Sequence, residues 1–461
     1  MSAVGRRLSG RIPELLRERS FRRYWTGQTV SLVGDEITLI AIPLAAVFVL
    51  GADAAEMGWL KAAALLPALL FSLPLGAWAD RQSRRRHAMI AADLARAALL
   101  LTLPFAYLLD VLTLGQLYVT AFALGALTVV FDACNATLFV TLVPPDRYVP
   151  ANSLVSGSRS MAWLAGPGIG GLLVQSLTAP FALVADALTY LCSARCLSRI
   201  KPVEPVPAPV GKGHFTAGLR WVVRQPTMRA LFAWSGTIQF FNFMFHTLFV
   251  LYATTELGLS AGLLGAVIGA GAVGGLIGAA CSNAVVRRFG VGPSIVVGSL
   301  VFTMPLLLVP LAAGPFPLVV ATLFVAEFLC CAGVMVIDIA SASLQMALVP
   351  QAIRSRVMGA FRTLNHGFRP LGALLGGALG TALGVRPTLW IGTAGAVLAV
   401  LWLLPSPVPR TRELPEPAAE DPEPVRADDP VQAGDPVQAR DSVPVRAGDG
   451  KSGADADQPL R

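Results

Sequence analysis

The chain of 461 residues is too apolar and too poor in charge for a soluble protein. Apolar residues make up 54% of it before its 44 glycines are counted, and charged residues only 14%. Soluble domains average about 45–50% apolar with glycine included and about 25% charged. A soluble enzyme, a secreted disulfide scaffold and a disordered protein are therefore excluded for the whole chain, and the composition indicates a polytopic membrane protein.

The net charge of +8 combines two unlike regions. Residues 406–461 carry 12 acidic and 7 basic side chains, and residues 1–405 carry the other 16 acidic and 29 basic ones. A basic membrane body indicates Arg-rich cytoplasmic loops rather than nucleic-acid binding. The six cysteines fall in apolar runs without metal-site spacing to His, so we expect packing roles, no metal site and no cofactor.

In chain order, twelve apolar stretches reach the roughly 20 residues that a membrane span needs. The predicted spans are 27–50, 57–79, 88–109, 115–142, 151–176 and 180–199, then 229–253, 261–283, 291–313, 316–346, 355–382 and 386–405. The predicted fold class is thus an all-α polytopic membrane protein with twelve transmembrane helices in two pseudo-symmetric six-helix bundles, 27–199 and 229–405.

Polar segments surround and divide the two bundles. Residues 1–26 form a basic N-terminus and 200–228 a Pro-containing linker, both predicted to be cytoplasmic. The tail, 406–461, repeats the motif Asp-Pro-Val-Gln-Ala and has no aromatic residue, so we expect it to be disordered in the cytoplasm.

The positions of Arg predict the orientation. Arg clusters lie in the N-terminus and after spans 2, 8 and 10, whereas the connections of opposite parity carry mostly acidic residues, with Lys61 and Arg386 as the only cations at their edges. By the positive-inside rule, both termini are expected in the cytoplasm of a bacterium, with the spans in its inner membrane.

The two halves repeat one another at a nearly constant offset. Arg159 and Pro167 lie 203 residues before Arg362 and Pro370. Two six-span halves related in this way are typical of secondary transporters.

The connection after span 2 carries a spaced set of residues that a plain Arg cluster does not explain: Gly76, Asp80, Arg81, Arg84 and Arg85. This set resembles the loop signature of the major facilitator superfamily, with Ser83 in place of the family glycine. The resemblance implies that the loop latches the two halves together in the outward-facing state.

Span 5 carries a second motif. Gly166, Pro167, Gly170 and Gly171 resemble the antiporter signature of the same superfamily, which favours antiport over symport. Further stretches between residues 20 and 405, such as Asp93-Leu94-Ala95-Arg96 and Asp186-Ala187-Leu188, are similar to the branch of siderophore exporters of the enterobactin type and macrolide efflux proteins.

Ionisable residues inside spans are expensive and usually functional. We interpret Asp35, Glu36, Asp132 and Arg159 as proton-coupling candidates at similar depth; Asp35 lies roughly 12–13 Å from the cytoplasmic start of span 1 at 1.5 Å per residue. A static Asp132–Arg159 ion pair is the alternative. The sequence does not choose between Asp35 and Glu36.

Further polar residues near mid-depth are candidates for the substrate cavity: Asn135, Asn242, Glu327 and Arg362. The chain has no phosphate-binding loop, catalytic triad or zinc motif, so we expect neither an enzyme nor an ATP-driven machine.

These observations predict a proton-coupled efflux antiporter for an amphipathic organic compound such as an antibiotic, a siderophore or another secondary metabolite. Its expected partners are the small organic substrate, protons and membrane lipids, without nucleic acid, and a monomer is expected. The alternatives are an importer or lipid flippase of the same fold, and a membrane scaffold or sensor that uses the acidic tail.

Overall fold

The computed structural model describes residues 14–82, 84–200, 215–350 and 353–413 of the chain. All of them belong to one compact unit, Met1–Ala418, and within the described ranges the regular structure is entirely helical. A second unit, Ala419–Arg461, lies outside the described residues.

The first half of the fold contains six long helices. They are α1 (Arg19–Leu50), α2 (Ala54–Arg81), α3 (Arg85–Leu108), α4 (Leu114–Leu142), α5 (Tyr148–Leu177) and α6 (Ala179–Ser198).

A short helix, α7 (Phe215–Arg224), precedes the second half. The second half comprises α8 (Pro226–Thr255), α9 (Ala261–Phe289), α10 (Val291–Thr303), α11 (Leu308–Leu311), α12 (Phe316–Leu348), α13 (Arg354–Leu383) and α14 (Val385–Leu398). A 3-10 turn, Met304–Leu307, joins α10 to α11, so these two helices form a single span.

In the described part of the chain, nine helices are long and apolar enough to cross a membrane. The remaining three long helices, α5, α8 and α13, have 30 residues each and occupy three of the predicted spans. Each of them carries charged residues, such as Arg159, Arg229 and Arg369, which lower its mean hydropathy. The predicted twelve-helix fold in two bundles is confirmed.

Helix α1 begins at Arg19, eight residues before the predicted span. The extension forms because Phe21 and Tyr24 are buried, together with Leu15, against Met89 and Phe131 of the same bundle. An aromatic face that packs on neighbouring helices stabilises a helix beyond the membrane-spanning part.

The polar segments also differ from expectation at their edges. The linker predicted at 200–228 contains α7 and the start of α8. The packed chain continues past the predicted tail boundary at 406: the Arg412 and Thr411 carbonyls accept hydrogen bonds of 3.1 and 2.8 Å from the backbone N–H groups of Val291 and Gly292. These bonds satisfy free N–H groups at the start of α10, which explains why this part is ordered. The rest of the predicted tail, from 414, lies outside the described residues.

Successive spans run antiparallel, so alternate connections share one end of the molecule. The connections α1–α2, α3–α4 and α8–α9 lie at one end, which we call the acidic end. The connections α2–α3, α9–α10 and α12–α13 lie at the opposite end, which we call the basic end. At the acidic end, Asp53 and Glu56 form a capping box with two 2.8 Å hydrogen bonds at the start of α2. The acidic residues there therefore also cap a helix.

The two halves pack closely toward the acidic end, through pairs of glycines. A Cβ added to Gly171 of α5 would lie 2.4 Å from the carbonyl oxygen of Ala261 and 3.0 Å from Gly265 Cα in α9. In α2, a Cβ on Gly58 would lie 2.9 Å from Gly377 Cα in α13. We call these two contacts the glycine crossings; only small residues allow backbones to approach so closely.

Toward the basic end the same helix pairs separate. Halfway along, Gly367 of α13 still meets Leu69 of α2, and Gly275 of α9 still meets Trp163 of α5. Farther on, a Cβ on Gly76, Gly157 or Gly359 would meet nothing within 4 Å. The halves therefore form a V that is closed at the acidic end and open at the basic end.

The glycine crossings give a stability prediction with an internal control. Gly171→Ala and Gly168→Ala gain the same helix propensity, but a Cβ on Gly168 meets nothing within 4 Å. We expect overpacking to lower the free energy of unfolding of Gly171→Ala by about 1–3 kcal/mol relative to Gly168→Ala. Gly171→Ala should therefore unfold at a lower temperature. Thermal unfolding of the purified protein in detergent measures the difference. Equal midpoints for the two variants would contradict the role assigned to the crossing.

Candidate functional site

Two adjoining cavities of about 770 and 730 Å³ lie between the halves. Both are lined by Leu39, His246 and Val250, so they meet at the centre of the protein. The first extends from Met57 near the acidic end to Gly76 near the basic end. Its walls are mainly apolar with a few charged groups, which suits a molecule with one apolar and one polar part.

Asp35 lies in the middle of α1 and lines the first cavity. Tyr190 of α6 donates a 2.5 Å hydrogen bond from its hydroxyl to one carboxylate oxygen. Arg96 and Arg159 are the cations that act electrostatically on this carboxylate. A carboxylate that is half-buried, hydrogen-bonded and reached by a cavity can exchange protons with water.

Behind Asp35, a fully buried charged cluster crosses the first bundle. The Arg96 guanidinium stacks between the rings of Phe131 and Tyr190, at 4.5 and 4.6 Å from their centroids. Its Nη2 lies 3.1 Å from an oxygen of Asp93, one turn earlier in α3. Both side chains are almost inaccessible, at 2% and 0%. Pairing and ring contacts are the conditions under which an arginine is tolerated at this depth.

Asp186 of α6 completes this arrangement. Its two oxygens accept hydrogen bonds from Thr38 of α1 and from Thr189, the latter at 2.8 Å. Asp186 is fully buried and faces Gly34 of α1, where an added Cβ would overlap the carboxylate. Gly34 is therefore required for α1 to approach the polar face of α6.

Asp93, Arg96 and Asp186 were not predicted from the sequence as functional residues; they served only for the family resemblance. A signal was present: all three are ionisable residues inside the predicted spans 88–109 and 180–199. Their buried cluster was not apparent because helices far apart in sequence bring them together.

The structure separates the two acidic candidates on α1. Asp35 lines the cavity, whereas Glu36 does not and points to α5 instead. A Cβ on Gly166 would lie 2.3 Å from Cβ of Glu36, and one on Gly170 would lie 3.1 Å from Cα of Ile37. Glu36 is thus packed against the glycine face of the helix motif.

The span-5 motif therefore has two packing functions in this conformation. Gly166 and Gly170 receive α1 of the same half, and Gly171 receives α9 of the other half at a glycine crossing. The carbonyl of Pro167 faces Gly265, with a distance of 2.3 Å to a Cβ placed there. Pro167 lies inside α5 without ending the helix.

The other candidates of the first half have different surroundings. Asp132 of α4 lines the first cavity and is exposed to it. Arg159 is also exposed and acts electrostatically on Asp35. Asn135 instead accepts a 2.8 Å hydrogen bond from Tyr24 and a 3.4 Å one from Gln28. It belongs to a side-chain network rather than to the cavity wall.

In the second half, Asn242 of α8 and Glu327 of α12 line the second cavity, together with Asp338 and Arg369. Glu327 is 5% exposed, and one of its oxygens has no hydrogen-bond partner in the described part. The backbone of Arg362 belongs to α13, but its side chain lies outside the described residues.

The loop motif lies at the open, basic end. Arg81 is in the last turn of α2, Arg84 precedes α3, and Arg85 donates a 3.0 Å hydrogen bond to the carbonyl of Ala79. Arg85 thereby caps the end of α2 and is itself buried. Gly76 faces the open cavity, and the side chain of Asp80 and all of Ser83 lie outside the described residues.

Known proteins match the chain in sequence and fold. The family model of the Major Facilitator Superfamily matches residues 24–371 and 238–443. The chain is 27% identical over 405 residues to the multidrug efflux pump Tap of Mycolicibacterium fortuitum, which covers 83% of this chain and 93% of the pump.

Two solved structures show the same fold. One is a bacterial homologue of the iron transporter ferroportin in an inward-facing state, with TM-score 0.67, 16% identity and coverage of 85% of this chain and 99% of that one. The other is the nucleoside transporter NupG, with TM-score 0.66, 13% identity and coverage of 84% and 98%. The family model spans most of the membrane body, and the twelve helices have the corresponding two-bundle arrangement. The chain therefore belongs to the Major Facilitator Superfamily and is a multi-pass membrane transporter, not an enzyme.

Proposed function

We propose that this transporter exports amphipathic organic compounds in exchange for protons, and that Asp35 carries the proton. The observation that carries the proposal is the position of Asp35: mid-helix, on the wall of the cavity, and hydrogen-bonded to Tyr190. It combines contact with the cavity and a fixed position in the first bundle.

The conformation supports a proton switch by alternating access. The cavity opens at the basic end, which we assign to the cytoplasm of a bacterial inner membrane because of its Arg clusters. In this state water from the cytoplasm reaches Asp35 and favours its ionised form. After the halves reorient, the external side supplies a proton. Arg96 and Arg159 provide the positive charge that compensates the carboxylate before protonation.

Glu36, Asp132 and Glu327 have secondary roles in this scheme. Asp132 and Glu327 line the cavities and are available to polar groups of the substrate. Glu36 packs against Gly166 and holds α1 against α5 of the same half. The direction of transport is supported by the antiporter-like motif of α5 and by the relative named as a multidrug efflux pump.

The substrate is found by a susceptibility screen. Cells that express the wild-type transporter or Asp35→Asn are grown on a panel of antibiotics and secondary metabolites. A compound tolerated only with the wild type is then followed in inside-out vesicles with an imposed pH gradient. Uptake into inside-out vesicles corresponds to export from cells, so transport in the opposite direction would indicate an importer.

The first prediction concerns Asp35→Asn. Asparagine keeps the size of the side chain but cannot bind and release a proton, so gradient-driven accumulation in vesicles is expected to fall to background. Substrate exchange at equal pH on both sides should persist, since it needs no net proton movement. Asp146→Asn, at an exposed position outside the spans, is the matched control and should transport normally.

The double variant Asp35→Asn/Glu36→Gln extends this test. If it still transports its substrate with full dependence on the pH gradient, the coupling site is elsewhere and the proposal is wrong.

The second prediction concerns Gly76. In the present conformation a leucine at this position has open space around its Cβ, so Gly76→Leu should fold with an unchanged unfolding midpoint. Closure of the basic end brings the loop motif against the other half, and the added side chain would block it. We expect vesicle transport to fall at least tenfold, with Gly115→Leu at an exposed position of the acidic end as control. Normal transport by Gly76→Leu would contradict the latch.

A further inference from the structure

One cation in the cavity has no role in the scheme above. Lys61 lies in the second turn of α2 and lines the first cavity. By its position in the sequence, Lys61 was expected at the edge of an external connection. The structure places it inside the cavity, one turn below the crossing of Gly58 and Gly377. Lys61 therefore lies at the closed end of the cavity.

Lys61 belongs to a basic corner built by both halves. Its Nζ lies 5.9 Å from the centroid of the Phe243 ring, and Cζ of Arg369 lies 5.0 Å from the same centroid. His246, one turn from Phe243 on α8, interacts electrostatically with Lys61. Lys61 of α2 and Arg369 of α13 thus meet at one aromatic ring of α8, with His246 near Lys61.

The charges of this corner are unequally compensated. Arg369 acts electrostatically on Asp338, and Gln239, with its amide oxygen turned toward α13, accepts hydrogen bonds of 2.7 and 2.5 Å from it. For Lys61, no carboxylate of the described residues lies within the 4.0 Å of an ion pair. Its recorded neighbours are the Phe243 ring and, unfavourably, the positive charge of Arg369.

A half-buried ammonium without a counter-charge is costly, and a bound anion would offset that cost. A carboxylate bound to Lys61 would receive charge-assisted hydrogen bonds, with the positive charge of Arg369 nearby, and the apolar part of the same molecule would meet the mainly apolar wall of the cavity. Asp35 and Asp132 line the same cavity and disfavour an anion near them, so they direct the acidic group toward the basic corner.

We propose that the transported compounds carry a carboxylate on an aromatic or other apolar scaffold, and that Lys61 binds this carboxylate at the closed end of the cavity. Transport of these compounds rests on the proposed function, but their binding at Lys61 does not. Binding is therefore tested at equilibrium, without membrane or pH gradient.

The probes are two fluorescent acids, each paired with its ester. Rhodamine B is compared with rhodamine B ethyl ester, and 1-pyrenebutyrate with its methyl ester, by fluorescence anisotropy with the purified full chain in detergent. The esters keep the ring system and lose the negative charge. The wild type should bind at least one acid roughly 10-fold more tightly than its ester.

Three variants locate the effect. Lys61→Gln should remove the preference for the acid by weakening acid binding roughly 10-fold, with ester binding unchanged. Lys61→Arg should restore most of the preference, because it keeps the positive charge. Arg195→Gln, an exposed position in the last turn of α6, removes one charge far from the cavity and should bind like the wild type. Unfolding midpoints of all variants show whether they are folded.

The outcomes separate the proposals. If Lys61→Gln binds acid and ester as the wild type does, or loses both equally, Lys61 only supports the packing around Phe243 and the proposal is overturned. Binding of neither acid by the wild type, or a preference for the esters, overturns it as well. A failure of Asp35→Asn to affect proton coupling would leave these binding results untouched.

Discussion

The close approach of the two halves at the glycine crossings is the contact on which the rest of this structure depends. Because Gly58 meets Gly377 and Gly171 meets Gly265 without side chains between them, α2 and α5 touch the second half over only part of their length. Beyond the midpoint the helices diverge, and the cavity exists in the space between them. Small residues suit this role in a membrane, where backbone packing and not the hydrophobic effect drives helix association.

The polar groups are arranged around that cavity in two layers. The inner layer, which includes Asp35 and Lys61, faces the space between the halves, and Lys61 has no ion-pair partner among the described residues. The outer layer, centred on Arg96, lies within the first bundle and is paired and stacked. The cost of charge in an apolar environment explains this division, since a group without a protein partner is retained where water, a proton or a substrate can replace that partner. The cost of charge in an apolar environment thus explains both the paired, buried cluster and the charged groups that face the cavity.

Much of the fold could be predicted from the sequence because a membrane imposes long apolar stretches. Most predicted spans agree with the helices to within a few residues. The exceptions are the start of α1, whose extension depends on the burial of Phe21 and Tyr24, the end of α9, six residues later than predicted, and the end of α14, seven residues earlier. Less of the candidate site could be predicted. Asp35 and Glu36 are neighbours in sequence and equally suitable by depth, and only the packing of α5 against α1 places one on the cavity and the other against Gly166.

The sequence by itself determined the class of protein, the number of spans, the repeat of the halves and the motifs that resemble the family, since each depends on composition or local spacing. The tertiary structure decided which charged residues meet. Arg96 joins Asp93 within one helix, but its contacts with Phe131 and Tyr190 come from two others. The sequence predicted Lys61 at the edge of a loop. In the structure it lines the cavity, because α8 and α13 pack beside it. Side chains from distant helices converge only when the helices pack, and no local pattern encodes that convergence.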